Sequence, residues 1–278
     1  MRSWRVFLRN RTAIACAFLF GFYVVIALLT QLEWIASPWN EAVAPSYTHP
    51  SLSEFKLWLG TDIFGRSVMY KTLHGARIAL GIGLITTLIS IPIGVGLGAA
   101  AGYFGGWIDE VVVWIYSTLS SIPNMMLLIA IAYAMGRGIT AVYAALSVTA
   151  WISLARVIRG EVAKHKNREY VIAAQSLGAS HSKRIFRHIL PNISHFVIIH
   201  FSIQFMSAIK SEVLLSFLGL GAVGLPSWGI MIDDSKNELT RGVWWQLTGA
   251  STALFLVVLA LNILGDALRD ALDPKEQR

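Results

Sequence analysis

Long apolar runs separated by polar segments dominate the chain. Runs able to cross a bilayer core, which takes about 20 residues per helix, fall at 13–32, 78–101, 111–135, 139–158, 193–216 and 246–265. The pattern predicts six transmembrane helices in an all-α integral membrane protein. Polar segments lie at 33–76, 159–192 and 217–245. Gly94, Gly98 and Gly102 recur every four residues in the second run, so they share one helix face and allow another backbone to approach closely. Pro92 and Pro123 fall inside apolar runs, where each removes a backbone hydrogen bond and is expected to kink its helix.

Composition strengthens this picture. Of 278 residues, 55% are hydrophobic and only 14% charged, against about 25% charge in a typical soluble domain; the mean hydropathy is +0.59. A large water-soluble catalytic domain on a membrane anchor is excluded, because it would pull both values back to ordinary levels. The net charge is +7, but the basic residues sit between apolar blocks rather than in a stripe, which argues against a nucleic-acid partner and for a topological signal. Four arginines (Arg2, Arg5, Arg9, Arg11) precede the first run, eight basic residues from Arg156 to Arg187 occupy 156–192, and three follow Asp266. The alternate segments hold seven: Lys56, Arg66, Lys71, Arg77, Arg137, Lys236 and Arg241. This bias places both termini in the cytoplasm. The first run is longer than the core of a secretion signal and is followed by no clean small-x-small site, so it reads as a retained span. Cys16, the one cysteine, lies in that run; it excludes an intramolecular disulfide and reads as a small buried hydrophobe.

The segments 33–76 and 217–245 would then lie outside. They carry Trp34, Trp39, Trp58, Trp228, Trp244 and Trp245. Two readings stay open for them: anchors at the membrane interface, or a docking surface for an outside partner.

The chain lacks familiar engines. It has no G-x-x-x-x-G-K-[ST] loop and so no ATPase of its own. It has no H-E-x-x-H, and His188, His195 and His200 are not spaced i, i+4, so no metal site is expected; these histidines read as polar residues packed in the bundle or near its inner mouth. There is no G-x-S-x-G elbow. Lys210, Glu212, Asn262 and Asp266 are the polar groups within or beside the spans, all near their ends, which weakens an ion-coupled carrier.

The segment 159–192 is the most informative. Asn167 is placed to cap a helix from Arg168, with Glu169 in its first turn. Gly178 is a natural stop after Leu177, and Ser180 or Ser182 would start a second helix that ends before Pro191. Ala173, Ala174 and Gly178 keep the surface low, so that a partner's groove could take the helix closely.

This spacing resembles the E-A-A-x-x-x-G loop, ending in L-P, of binding-protein-dependent ABC transporter permeases. Ala173, Ala174, Gly178, Leu190 and Pro191 match it. Ile172 stands where the motif has glutamate and His188 where it has an apolar residue; Glu169, one helical turn before Ile172, is the candidate replacement charge. The block LGTDIFGRSVMYKTLHGARIAL (59–80) is similar to the L-G-T-D-x-x-G-R-D segment of the oligopeptide, dipeptide and nickel branch, with Ser67 where an aspartate is usual. AGYFGGWIDE (101–110), LLSFLGLG (214–221), SWG (227–229) and NILGDALRDALDP (262–274) resemble further blocks of that branch, in the same order. In the last block, ion pairs are expected between Asp266 and Arg269 and between Arg269 and Asp273, with Pro274 ending the helix.

The resemblance implies an organisation of 1–76 as N-terminal segment, first span and external loop, 77–268 as a five-helix permease domain containing the coupling loop, and 269–278 as a cytoplasmic tail. It implies one of two homologous permease subunits in a bacterial plasma (inner) membrane importer of peptides or a related small solute. Its partners would be two cytoplasmic ATPases that bind ATP and Mg, and an extracytoplasmic binding protein, with no cofactor in this chain. Coupling would run through Glu169, Ile172, Ala173, Ala174, Gly178, Leu190 and Pro191, in a loop whose basic flanks rest on anionic lipid. Gly219, Leu220, Gly221 and Pro226 indicate a turn beyond span five, followed by a short helix with Trp228 across the outer mouth, which the resemblance implies is a scoop or gate. The alternative is a secondary carrier or channel working alone.

Overall fold

A computed structural model describes residues 10–272. The helices are α1 (Arg11–Gln31), α2 (Val68–Phe104), α3 (Gly106–Ser120), α4 (Asn124–Ala134), α5 (Ile139–His165), α6 (Glu169–Ser176), α7 (His181–Phe217), α8 (Trp228–Leu239) and α9 (Trp245–Leu272). Five of them are long and apolar enough to cross a membrane alone. α3 and α4, a pair bent by 90°, are together long and apolar enough to count as a sixth, so the described helices give five spans or, with the bent pair taken as one, the six expected. The bend sits at Pro123, which has no N–H to continue the helix. Pro92, in contrast, is carried inside an uninterrupted α2.

α2 is 37 residues long, about 55 Å at 1.5 Å per residue. That exceeds the ~30 Å hydrocarbon core, so one end of α2 stands clear of it. At that end the segments 32–67 and 218–244 fold together; it is called the loop end here. The opposite end carries α6 and the basic residues 164–187 and is called the basic end.

The glycine repeat forms the main helix contact. Gly94, Gly98 and Gly102 lie against the backbone of α5, at Trp151, Ala155 and Arg159. A Cβ on Gly98 would sit 2.6 Å from the carbonyl oxygen of Ala155, so only glycine permits this approach. Around the seam, Ala99, Leu154, Ile158 and Val162 join Val171, Ile185, Ile189 and Ile193 in a buried cluster at the basic end. A bidentate ion pair closes that end: Arg159 of α5 donates to Asp109 in the first turn of α3, with its Nη2 at 2.6 Å from Oδ2.

α1 lies at the edge of the bundle, with Phe18, Phe22, Val25 and Leu28 facing outward. Tyr23 holds it in place by donating to the carbonyl of Ala253 in α9 at 3.0 Å and meeting Trp228 edge to face. Cys16 is a free, half-buried residue of α1 rather than a fully buried one.

Two further expectations need correction. Pro191 does not end a helix: α7 passes through it by way of a π-segment over Arg184–Ile189 and a 3₁₀ turn over Leu190–Ile193, which re-register the ladder where proline offers no donor. Asp266 and Arg269 are both exposed and form no ion pair, since water competes for each. The expected Arg269–Asp273 pair and the stop at Pro274 lie outside the described residues.

Replacing Gly98 with leucine should destabilise the protein by about 1–3 kcal/mol through overpacking, whereas Gly96→Ala, with open space at its Cβ position, should be neutral. Thermal unfolding of the detergent-purified protein distinguishes the two.

Candidate functional site

At the basic end, α6 is an eight-residue helix over Glu169–Ser176. Its N-cap is Arg168, without a side-chain cap, so Asn167 does not perform the capping expected of it. Gly178 ends the helix at φ +78°, a conformation that glycine adopts freely, and Ser180 caps the start of α7 by accepting from the N–H of Lys183. Val171 packs into the α5–α7 cluster and Ala174 is buried beside it on the same helix. The expectation that Ala174 belongs to an outward low surface is therefore corrected: its small size lets α6 sit close to its own subunit. Glu169, Ala173 and Gly178 are exposed, Ile172 is 51% exposed and Leu177 is 88% exposed. Leu190 is half-buried and Pro191 exposed. Leu177, absent from the expected set, is thus the most prominent apolar group on this surface; its position just before the stop glycine was the available signal.

At the loop end, the block 59–71 is a knot built around Asp62. Its Oδ1 accepts from the N–H groups of Phe64 and Arg66, both at 2.9 Å, and its Oδ2 accepts from Arg66 Nε at 2.7 Å and Lys71 Nζ at 3.0 Å. Lys71 also donates to Gln246 Oε1 of α9 at 2.8 Å, and Trp245 Nε1 donates to the carbonyl of Thr61 at 2.9 Å. Lys71 is only 2% exposed. Burial disfavours charge on Asp62, but Lys71, the Arg66 N–H and the Arg66 guanidinium outweigh it and hold its carboxyl below the usual carboxylate range. Gly60 and Gly65, both at positive φ, let the loop turn against Thr48 and Ala44.

α8 is locked onto this end. Ser227 caps it by accepting from the Ile230 N–H at 3.2 Å. Trp228, 1% exposed, lies on Gly75 and donates to the Thr72 carbonyl at 2.9 Å. Gly229 lies against Val213 and Ser216 of α7. Gly219 turns the chain at φ +74°, with Gly221 pressed against Ser216 and Pro226 buried. The gate candidates Gly221, Pro226 and Trp228 are therefore fixed packing elements in this conformation. Trp228 and Trp245 are core residues rather than interface anchors, while Trp34, Trp58 and Trp244 remain exposed.

Glu238 of α8 is buried beside the knot. Its carboxyl is pushed up to about 7, chiefly by burial; the pull of Lys71 only partly offsets this and Asp62 and Asp234 add to it. Burial likewise raises Asp234, whose carboxylate lies 3.8 Å from Lys71 Nζ.

Between the ends, the α3–α4 bend, α5, α7 and Thr86 of α2 enclose a cavity of about 510 Å³. Its polar lining includes Ser120, Asn124, Ser153, Arg156, His200 and Gln204. The charge tally assigned Arg156 to the loop, but α5 extends to His165 and places Arg156 inside the span. It lies about 14 Å along the axis from the end of the helix. The expected run 139–158 already contained Arg156; counting it with the basic loop hid its place on the helix.

The same fold occurs in two solved structures. The MetNI methionine ABC transporter in inward-facing conformations gives a TM-score of 0.59 at 17% identity, covering 74% of this chain and 98% of that one. An amino acid ABC transporter gives 0.53 at 18% identity, covering 73% and 94%. These likenesses show a fold shared with chains of two ABC transporters. The chain belongs to the family of binding-protein-dependent transport system inner membrane components, whose model matches residues 94–278. A second model, the N-terminal transmembrane domain of oligopeptide transport permease C, matches residues 1–51. The dipeptide transport system permease protein DppC of Bacillus subtilis (strain 168) is 37% identical over 277 residues, covering 99% of this chain and 86% of that protein. The glutathione transport system permease protein GsiD of Pectobacterium atrosepticum is 36% identical, covering 98% and 90%.

Lys71→Met should cost about 1–3 kcal/mol, since Asp62 loses one buried charged hydrogen bond but keeps Arg66 and two N–H groups, and Lys71→Met with Asp62→Asn should recover part of it; thermal unfolding in detergent measures both. For Glu238 the raised value means that the folded state holds its proton more tightly than the unfolded chain does. Stability is therefore lost as pH rises from the ordinary glutamate range through about 7. Glu238→Gln should unfold at a higher temperature than the parent near pH 8, by about 1–3 kcal/mol, and the gap should close near pH 4.

Proposed function

We propose that this permease subunit forms half of the translocation path of an ATP-driven importer of di- or oligopeptides or a related small solute. A homologous second permease supplies the other half. Two ATPases, which bind ATP and Mg, dock at the basic end, and an extracytoplasmic binding protein delivers solute to the loop end. Both termini then lie in the cytoplasm of a bacterial plasma membrane, in keeping with the basic residues at that end.

The observation that carries this reading is the outward edge of α6. Ile172 and Leu177 present apolar surface on a short helix outside the spans, where neither lipid nor the subunit's own core covers it. Val171 ties the same helix to α5 and α7. A push on α6 is therefore passed into two spans, one of which, α7, runs without a break from Ser180 to the loop end. Glu169, exposed in the first turn and without an ion pair among the described residues, supplies a charge for the partner surface. The peptide class is supported by the relatives that span nearly the whole chain.

The complex reconstituted in proteoliposomes with its ATPases and binding protein tests the reading. Leu177→Asp should lower both peptide uptake and binding-protein-stimulated ATP hydrolysis at least tenfold, roughly the loss of one buried apolar contact made into a buried charge, and Glu169→Lys should lower both to a smaller extent. Full uptake and stimulation by an assembled Leu177→Asp complex would remove α6 as the coupling element. Uptake by the chain alone, with no ATPase present, would favour the stand-alone carrier.

A further inference from the structure

The cavity between α3, α4, α5 and α7 has a lopsided charge. Arg156 and His200 line it, and no aspartate or glutamate does among the described residues. The Arg156 guanidinium is accessible on the isolated subunit; Nη2 donates to Ser120 Oγ at 2.6 Å and the group lies 4.8 Å from the centre of the Tyr116 ring. These contacts occupy one nitrogen and one face, leaving most of its five N–H donors unused. An arginine within a membrane span is costly unless it faces protein or a water-filled space, so the side of the subunit that bears it belongs to an aqueous path. Polar atoms on the lining that are buried without a partner among the described residues include Thr86 Oγ1 and Gln204 Oε1. The opposite wall is the α3–α4 bend, where Pro123 interrupts the ladder and leaves main-chain groups outside regular helix.

From this geometry, and resting on the peptide reading above, we infer that the cavity is a solute station that takes a free carboxylate, with Arg156 as the group that binds it and Ser120 as the residue that aims Arg156. A guanidinium matches a carboxylate with two parallel N–H···O bonds. A peptide's C-terminal carboxylate pairs with Arg156, while the unpartnered Thr86 and Gln204 groups meet the polar remainder of the solute. Such a station reads the chain terminus and leaves side-chain identity largely unread, because the rest of the lining is small and polar or aliphatic.

The test uses the full complex in proteoliposomes, with binding protein saturated separately by dialanine and by dialanine amide. Loading is confirmed by the binding protein's intrinsic fluorescence, so that uptake per loaded binding protein reports translocation alone. The parent complex should move the acid faster than the amide by roughly 10- to 100-fold, the worth of hydrogen bonds to a charged group. Arg156→Gln should bring the acid down to the amide's rate and leave the amide's rate where it was; Arg156→Lys should keep part of the preference, and Ser120→Ala should weaken it. If Arg156→Gln slows acid and amide equally in an assembled complex, the arginine is a strut between α3 and α5 and the inference falls. Equal rates for acid and amide in the parent overturn it as well. A parent complex that moves neither peptide overturns the peptide reading itself, which separates that failure from the other two.

Discussion

The close approach of α2 and α5 through three glycines is the constraint on which the rest depends. Lipid tails are as apolar as leucine, so burial alone gives these helices little reason to pair; close backbone packing does. Because Gly94, Gly98 and Gly102 meet carbonyls of α5 directly, the two axes are held at a separation that no larger residue allows. That fixed pair then organises the basic end. Arg159 is brought beside Asp109 at one end of the seam, and Val162 and Ile158 become the floor on which α6 rests. Along the same turns of α5, away from the glycine face, Ser153 and Arg156 line the cavity.

Charge in this subunit is placed by what must stay rigid and what must stay open. At the loop end, Asp62, Lys71 and Gln246 are buried and joined by direct hydrogen bonds, which tie the loop 59–67 to α2 and α9. A buried pair of this kind contributes little net stability against a hydrophobic alternative, but its directional bonds admit one arrangement of the groups it joins. Arg156 represents the opposite case, a cation whose bonding capacity is left mostly unspent. Glu238 stands between them, buried near a cation it does not reach and therefore inclined to keep its proton.

Much of the frame was legible in the sequence because it depends on local rules. Span lengths, the glycine repeat, the break at Pro123, the stop at Gly178 and the cap at Ser180 each follow from a few neighbouring residues. The misjudged residues depend on distant partners. Trp228 and Trp245 sit in polar segments, where a tryptophan suits an interface as well as a core, and only Gly75 and Thr61, more than 150 positions away, decide the matter. Lys71 and Asp62 read as ordinary charges of an external loop until Gln246 is brought beside them. The inward turn of Ala174 was hidden because spans that are apolar all round carry no periodic signal for which face of α6 they cover.

The order in which the chain is made gives the Lys71–Gln246 bond a further significance. The two residues are 175 positions apart, and Tyr23 meets Ala253 across 230, so the first two spans leave the ribosome long before α9 exists. During that interval Lys71 lacks its Gln246 contact and α1 lacks its anchor, although each helix is already satisfied within itself. Insertion can therefore proceed span by span while assembly waits for the last one. A chain truncated before α9 leaves an amide partner, an indole donor and a carbonyl anchor missing at the loop end at once, which is the kind of exposed polar defect that membrane quality-control proteases are able to recognise.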